Sequence, residues 1–473
     1  MSGAAARQGL HRSLGPIGVI LLVISMTSPA GSVLTAGTDI IHQVGGAAVL
    51  AFLIATPVVL ANTVLAAELY SAFPNAGGLY TPVARIWGPA YGMVILAFAC
   101  AGPPAYISLF ALGLVSFLKV VWPFLQDGPT AAAVVAVATG IALLSIRANA
   151  WITGAFLAIE VITILVVSGL GVVHPARGLA AAMALSAPPF AGVSAHGATL
   201  IAIGMAAIAA NWSVSGGAQA IYFSEEMRRP KDLGWVIIAA ALSVAALEIG
   251  PVVGLVVGAH KPGAVLGDAS PFMALFAETM PAWAVRAFSL AVAAALFNAV
   301  LAMVIAYARI WFATGRDRVW PAAVSGPLAE VAPRLGSPWI ATLLLGLICA
   351  ALCFASLHAL VVYSSGLGLV ADFVAAMSVL RGRRLGLLAD APYKAPFAWG
   401  LGALSVVSMI GAVAAQLSDA DAGRPGILIA AAIAALAVIY YFAVLRRRSN
   451  GWRFALFNDT DIRPVQSAPV KVL

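Results

Sequence analysis

Two short stretches place helix-breaking and hydroxyl residues in the middle of apolar runs. They are Thr27-Ser28-Pro29-Ala30-Gly31-Ser32 and Ser213-Val214-Ser215-Gly216-Gly217. Proline and paired glycines disrupt a helix at such positions, and the backbone groups they free must be satisfied by protein, water or a bound molecule. The chemistry on offer is that of helix ends. The N–H groups of Ala30, Gly31, Ser32 and Val33 form a positive end suited to a carboxylate. The carbonyls of Ser25 to Ser28, and of Asn211, Trp212 and Ser213, suit an ammonium group. Together with the hydroxyls of Thr27, Ser28 and Ser215 and the open backbone at Gly216, they complement a zwitterion such as an amino acid. A kinked helix without a ligand explains either stretch alone; the pair argues for a site.

A third feature is a deep carboxylate. Glu160 lies within Leu157-Ala158-Ile159-Glu160-Val161. An ionisable residue at membrane depth is costly and is a functional candidate by default, so Glu160 is the candidate for a coupling proton or a held cation. A scaffold carboxylate paired with hydroxyls or backbone is the alternative. Asp372, Asp39 and Glu68 lie nearer the ends of their runs, where water or a loop arginine accounts for them. Asn298, Tyr106, Tyr363, Ser364 and Ser365 could line a pathway, although each alone is more simply a hydrogen-bond partner between helices. Gly102-Pro103-Pro104 should bend the helix beside Tyr106, which makes that tyrosine a candidate gate.

The elements that position these groups follow from composition. Of 473 residues, 62% are hydrophobic and 9% charged, with a mean hydropathy of +1.01, against roughly 25% charged in a soluble domain. The runs are unbroken rather than alternating, which excludes a β-barrel and leaves an all-α polytopic membrane protein. Cutting at charges and Gly/Pro clusters predicts twelve transmembrane helices, at 16–41, 45–70, 87–118, 129–146, 150–173, 198–224, 233–257, 283–313, 338–357, 359–380, 396–416 and 425–445. The ninth and tenth divide a stretch, Leu335 to Ala371, that is uncharged throughout and too long for one crossing. The breaks fall in the first helix of two consecutive groups of five. Five is odd, so the second group crosses in the opposite sense, which predicts a five-plus-five inverted repeat with discontinuous helices 1 and 6, plus two additional helices. The expected organisation is a cytoplasmic tail (1–15), a first repeat (16–173), a second repeat (198–380), helices 11 and 12 (396–445) and a second cytoplasmic tail (446–473).

Charge supports this topology. With the N-terminus inside, every one of the 26 basic residues except Lys119, Arg177, Lys261, Arg286 and Arg424 falls on the inner side, as the positive-inside rule requires. The net charge of +8 is thereby accounted for by an anionic leaflet of the lipid bilayer, and nucleic acid is not an expected partner. Residues 1–15 show no convincing signal-peptidase site and read as an uncleaved tail. His196 and His358 fall at outer span ends and read as interfacial.

Three further segments resemble motifs of the amino acid-polyamine-organocation (APC) superfamily of permeases. Phe73-Pro74-Asn75-Ala76-Gly77-Gly78-Leu79-Tyr80 is similar to its P-x-A-G-G-x-Y loop, Ser224-Glu225-Glu226-Met227-Arg228-Arg229-Pro230 to its E-E-x-x-x-P motif, and Gly315-Arg316-Asp317-Arg318-Val319-Trp320-Pro321 to its G-R-D-G-x-x-P segment. The resemblance spans about residues 14–445. It implies alternating access, amino acids or related amines as substrates, and a substrate seated against the helix 1 and helix 6 breaks. It carries Ala30, Gly31, Ser32 and Val33 onto the loop that contacts the substrate carboxylate, and Trp212, four before Gly216, onto the aromatic position that often caps the substrate. Helix 1 here reads S-P-A-G-S-V rather than G-S-G, Val214 replaces a usual aromatic, and Ala218 stands where an acidic or amide residue is common, which suggests a roomier or less polar pocket. In some proton-coupled relatives a lysine occupies what looks like the Glu160 position, near a cation site between helices 1, 5 and 8. Helix 7 usually belongs to the scaffold in that fold, so Glu248 reads as a structural hydrogen bond.

Glu225, Glu226, Arg228, Arg316 and Asp317 read as a charge latch between inner loops that holds one access state closed. Cys349 and Cys353 share a helix face with no His or carboxylate nearby in sequence, so packing is the reading and no metal is expected. The P-loop pattern G-x-x-x-x-G-K-[ST] is absent, and no cofactor or ATP-driven step is expected. The expected function is a secondary active transporter in the plasma (inner) membrane, not an enzyme. It would move an amino acid or closely related amine, coupled to a proton or to sodium, or working as an exchanger. A polyamine or organic amine permease is the alternative; a passive pore or a nutrient sensor fits less well.

Overall fold

A computed structural model describes residues 10, 12–173, 175–184, 200–368 and 370–448. Residues 1–9, 11, 198, 199 and 449–473, which belong to the expected tails and to the start of the sixth span, lie outside the described residues, as does His196. The described residues are helical, with no strand among them beyond an isolated parallel bridge between Leu14 and Met227. Eight helical stretches are long and apolar enough to cross a membrane, the first of them the run Pro16–Ala72; two shorter apolar helices, Asp127–Ala142 and Trp339–Leu352, accompany them.

In chain order the first group of elements is α1 (Pro16–Thr27), α2 (Pro29–Val44), α3 (Ala48–Ala72), α4 (Tyr80–Trp87), α5 (Pro89–Lys119), α6 (Asp127–Ala142), α7 (Ile146–Val173) and α8 (Leu179–Met183). The second is α9 (Leu200–Val214), α10 (Leu233–Gly258), α11 (Pro262–Val265), α12 (Pro271–Thr279), α13 (Ala282–Arg316), α14 (Ala322–Leu328), α15 (Trp339–Leu352), α16 (Leu357–Ser365) and α17 (Ala371–Arg384). Last come α18 (Ala398–Ser418) and α19 (Gly423–Tyr440). Most of the expected span limits lie within a few residues of helix ends. Segments read as loops also hold short helices: α4, α8, α11, α12 and α14.

The first helix breaks where the residue types demand it. Pro29 has no N–H, so the carbonyl of Ser25 loses its partner and α1 stops. Ser28 turns to a left-handed φ of 46° and caps α2, its Oγ accepting from the Gly31 N–H at 3.3 Å. The second break lies between α9 and a 3-10 segment, Gly217–Glu226. A third break was not expected. The tenth span is two helices, α16 and α17, parted at residues 366–370. No proline marks it; the carbonyls it frees are taken by neighbouring side chains, Ser364 O by Tyr106 Oη at 3.1 Å and Ser365 O by Gln416 Nε2 at 3.1 Å. By contrast, α5 continues as helix through Pro103 and Pro104.

Two helices form an unusually close seam. A Cβ on Gly171 of α7 would overlap the Gly254 carbonyl of α10, and one on Gly254 would come within 2.6 Å of the Val167 carbonyl oxygen. With side chains absent at the contact, backbone packs on backbone, and the pair is fixed by shape. These are the helices that carry Glu160 and Glu248.

Candidate functional site

The break in helix 1 is capped by Glu160. Its Oε1 accepts from Ser28 Oγ at 2.9 Å and from the Ala30 N–H at 3.0 Å, and the residue is fully buried. A carboxylate at a helix N-terminus satisfies orphan donors and the positive end of the dipole together. The start of α2 therefore already holds an anion, and it is the protein's own. Asn298 of α13 lies against Glu160. Glu160 Oε2 and both polar atoms of the Asn298 amide are buried with no hydrogen-bond partner among the described residues. Buried polar atoms are costly unless paired, and the Asn298 amide is the nearby side chain that can engage Glu160.

The second break meets the first. A Cβ at Gly216 would overlap the Thr27 hydroxyl, so only glycine allows the end of α1 and the end of α9 to approach this closely. Thr27 Oγ1 itself donates to Val23 O at 2.9 Å. Across the gap stands Glu248, fully buried on α10. Its Oε1 accepts from Ser32 Oγ at 2.5 Å and its Oε2 from Ser213 Oγ at 2.9 Å. One carboxylate thus holds a hydroxyl from each broken helix.

The remaining expected residues are less concentrated. Val33 is buried in the apolar packing around α2 and α9. Ser215 Oγ donates to the Asn211 carbonyl at 2.7 Å, and the Asn211 Oδ1 has no partner among the described residues. Trp212 is 48% exposed, and its ring lies 6.3 Å from that of Tyr106, whose hydroxyl reaches the third break.

The three motif segments join in one charge network. Arg316 Nη1 donates to Glu225 Oε1 at 2.6 Å, its Nη2 to Asn75 Oδ1 at 3.1 Å, and its Nε to Asp317 Oδ1 at 3.1 Å. Glu225 also accepts from the Ala76 N–H at 3.0 Å, and Tyr80 Oη donates to Asp317. Glu226 is held bidentately by Arg309, at 2.5 and 2.8 Å. The latch expected of Glu225, Arg316 and Asp317 is present as contacts. Among the described residues Arg228 is not part of it: its side chain is exposed, and its N–H donates to Leu14 O at 2.9 Å. Arg309 takes the place expected of it. Sequence reasoning counted Arg309 only as an inner-side charge, though the depth rule that singled out Glu160 applies equally to Tyr307-Ala308-Arg309-Ile310.

Glu68 has the arginine partner expected of it. Arg383 of α17 donates to its two oxygens at 2.8 and 2.6 Å, and the Ala395 N–H adds a third bond at 2.8 Å. All three cysteines are buried thiols, and no cluster of His, Cys, Asp and Glu suited to a metal occurs among the described residues.

Comparison with known proteins agrees with this geometry. A family model described as amino acid permease matches residues 14–445. Uncharacterised transporters of Mycobacterium tuberculosis and Mycobacterium bovis are 27% identical over 347 residues, covering 72% of this chain and 74% of theirs. A Na+-coupled sialic acid symporter, solved substrate-bound and outward-open, shares the fold with a TM-score of 0.53 at 11% identity, over 87% of this chain and 91% of its own. The motifs that meet in the inner network lie inside the matched range, and the chain belongs to the amino acid permease family of the APC superfamily: a multi-pass membrane transporter, not an enzyme.

Proposed function

We propose that the chain is a secondary active transporter that moves an amino acid or closely related amine by alternating access. In this reading it crosses the plasma (inner) membrane twelve times as a five-plus-five inverted repeat with two further helices, both termini cytoplasmic. The substrate sits at the helix 1 and helix 6 breaks, among Thr27, Ser28, Ala30, Gly31, Ser32 and Val33 on one side and Asn211, Trp212, Ser213, Ser215 and Gly216 on the other, with Tyr106 beside Trp212. Glu160 carries the coupling proton or holds a sodium ion. One observation carries the reading: the two breaks meet at Thr27 and Gly216, and the start of the half-helix after the first break is capped by the buried carboxylate of Glu160. Irregular backbone at membrane depth is tolerated where it lines a ligand cavity.

A second reading is favoured by a specific contact. The Ala30 N–H donates to Glu160 and the Gly31 N–H to Ser28 Oγ, which leaves those two donors of α2 occupied. An organic amine without a carboxylate needs neither. Purified protein in proteoliposomes, tested for counterflow with a panel of amino acids and amines and then under proton and sodium gradients separately, distinguishes these. Trans-substrate acceleration is expected, with uptake by Glu160→Gln losing its dependence on the driving ion. A Glu160→Gln protein that keeps the full dependence removes the coupling role, and competition by amines alone removes the carboxylate subsite.

A further inference from the structure

The sequence assigns Glu248 to the scaffold, yet it is the residue that binds both broken helices. Ser32 stands in the first turn of α2 and Ser213 in the last turn of α9. In the topology above these are the outer halves of helices 1 and 6. Glu248 accepts a hydrogen bond from the hydroxyl of each, at 2.5 and 2.9 Å, from partners 216 and 35 residues away in sequence. It sits on α10, which is locked backbone to backbone on α7 through Gly171 and Gly254. The α7–α10 pair is thus a rigid frame from which the half-helices hang by hydroxyl–carboxylate bonds.

We propose that Glu248 is a second proton-sensitive positioning residue, whose ionised carboxylate clamps the outer half-helices to the α7–α10 frame and whose protonation weakens that clamp. The inference rests on the transporter reading for its consequence, though not for its geometry. An ionised carboxylate offers lone pairs on both oxygens and can accept from both serines. A proton taken from water onto one oxygen cancels the charge and makes that oxygen a donor: the serine facing it turns its hydroxyl and accepts, as Ser32 can by donating to Pro29 O at 3.2 Å, so both bonds persist as neutral ones of about half the strength.

The surroundings leave Glu248 free to respond. Of the elements packed on α10, α1, α8 and α9 carry no titratable side chain, and the Pro230–Asp232 turn places Lys231 and Asp232 at the start of α10, about four turns from Glu248. From α7 the facing group is Glu160, with Arg147 at the far end of that helix. On α2, Asp39 lies two turns beyond Ser32, near His42. Glu68 of α3 is bound to Arg383; that helix also carries Tyr70. In the 217–226 segment Glu225 and Glu226 are bound to Arg316 and Arg309, and Tyr222 packs on Tyr307. Glu278 of α12 is engaged with the His260 and Lys261 N–H groups.

The test uses the full chain in proteoliposomes with equal pH on both sides. Counterflow is measured from pH 5.5 to 8.5 for the unmodified protein, Glu248→Gln, Ser32→Ala/Ser213→Ala and the triple variant. Glu248→Gln should remove one inflection of the pH profile, leaving the one that Glu160→Gln removes. The triple variant should match the double serine variant within about twofold, since Glu248 acts through those hydroxyls. A Glu248→Gln protein with an unchanged melting temperature and the full original profile overturns the proposal. Absence of counterflow in the unmodified protein with every substrate would instead count against the transporter reading. In that event a Trp212→Cys reporter, labelled by an impermeant maleimide, decides the clamp. Its labelling rate should change at least fivefold over the pH range and lose that change on Glu248→Gln; equal pH dependence in both overturns it.

Discussion

Removing the Arg316 side chain should open the inner face. In Arg316→Ala, Glu225 and Asp317 lose their cation and Asn75 loses a donor. Stripping one partner from a buried ion pair costs roughly 3–5 kcal/mol. The Arg316 side chain is 15% exposed and that of Glu225 3%, so water screens part of the loss and about 2–3 kcal/mol remains. The network joins the loop after α3, the 217–226 segment and the end of α13, which must separate for the inner side to open. The loss therefore falls on the closed state alone, and at about 1.4 kcal/mol per tenfold the conformer ratio moves roughly thirty- to a hundredfold toward inward-open. The assay is maleimide labelling of Ala218→Cys, half-buried one turn inward of the second break, in inside-out vesicles. Labelling should accelerate by that factor in the Arg316→Ala background, and Arg316→Lys should recover part of the closed population. Acceleration of less than twofold, with normal expression, would refute the argument that these charges hold the closed state.

Two further substitutions probe shape rather than charge. Gly216→Ala puts a methyl group on the Thr27 hydroxyl; transport should fall at least a hundredfold while the protein still inserts, and Thr27→Ala on the same background should restore a measurable fraction. Gly171→Ala forces a Cβ into the Gly254 carbonyl of the α7–α10 seam, so the yield of monodisperse protein in detergent should drop several-fold, whereas Gly169→Ala, with open space around its Cβ position, should leave yield unchanged.

How far the sequence reaches is visible in particular residues. Ser28 and Gly216 were legible because proline and glycine act on their own backbone, a local effect. Span boundaries were legible because hydrophobic length is local too. The break at 366–370 was not, since it lies in an uncharged run without proline and is stabilised by Tyr106 and Gln416 from other helices. Glu248 was visible as a deep carboxylate, but its meaning lies in serines 216 and 35 residues away, a separation that periodicity cannot express. Arg309 shows a different failure, in which the inside-charge rule absorbed a residue whose burial called for a partner. Sequence reasoning offered the N–H groups of Ala30, Gly31, Ser32 and Val33 to a ligand, and what could not be foreseen was that Glu160 takes the first, Ser28 Oγ the second and the Ser28 carbonyl the third.

That occupancy has a consequence for affinity. A ligand carboxylate arriving at the start of α2 meets a rival that is tethered in place and never diffuses away. Intramolecular groups of this kind act at effective concentrations of roughly millimolar or more, so Glu160 behaves as a built-in competitive inhibitor of any anionic headgroup. A substrate carboxylate that binds there must therefore displace Glu160 Oε1 from the Ala30 N–H and Ser28 Oγ, and its net affinity is reduced by what that exchange costs.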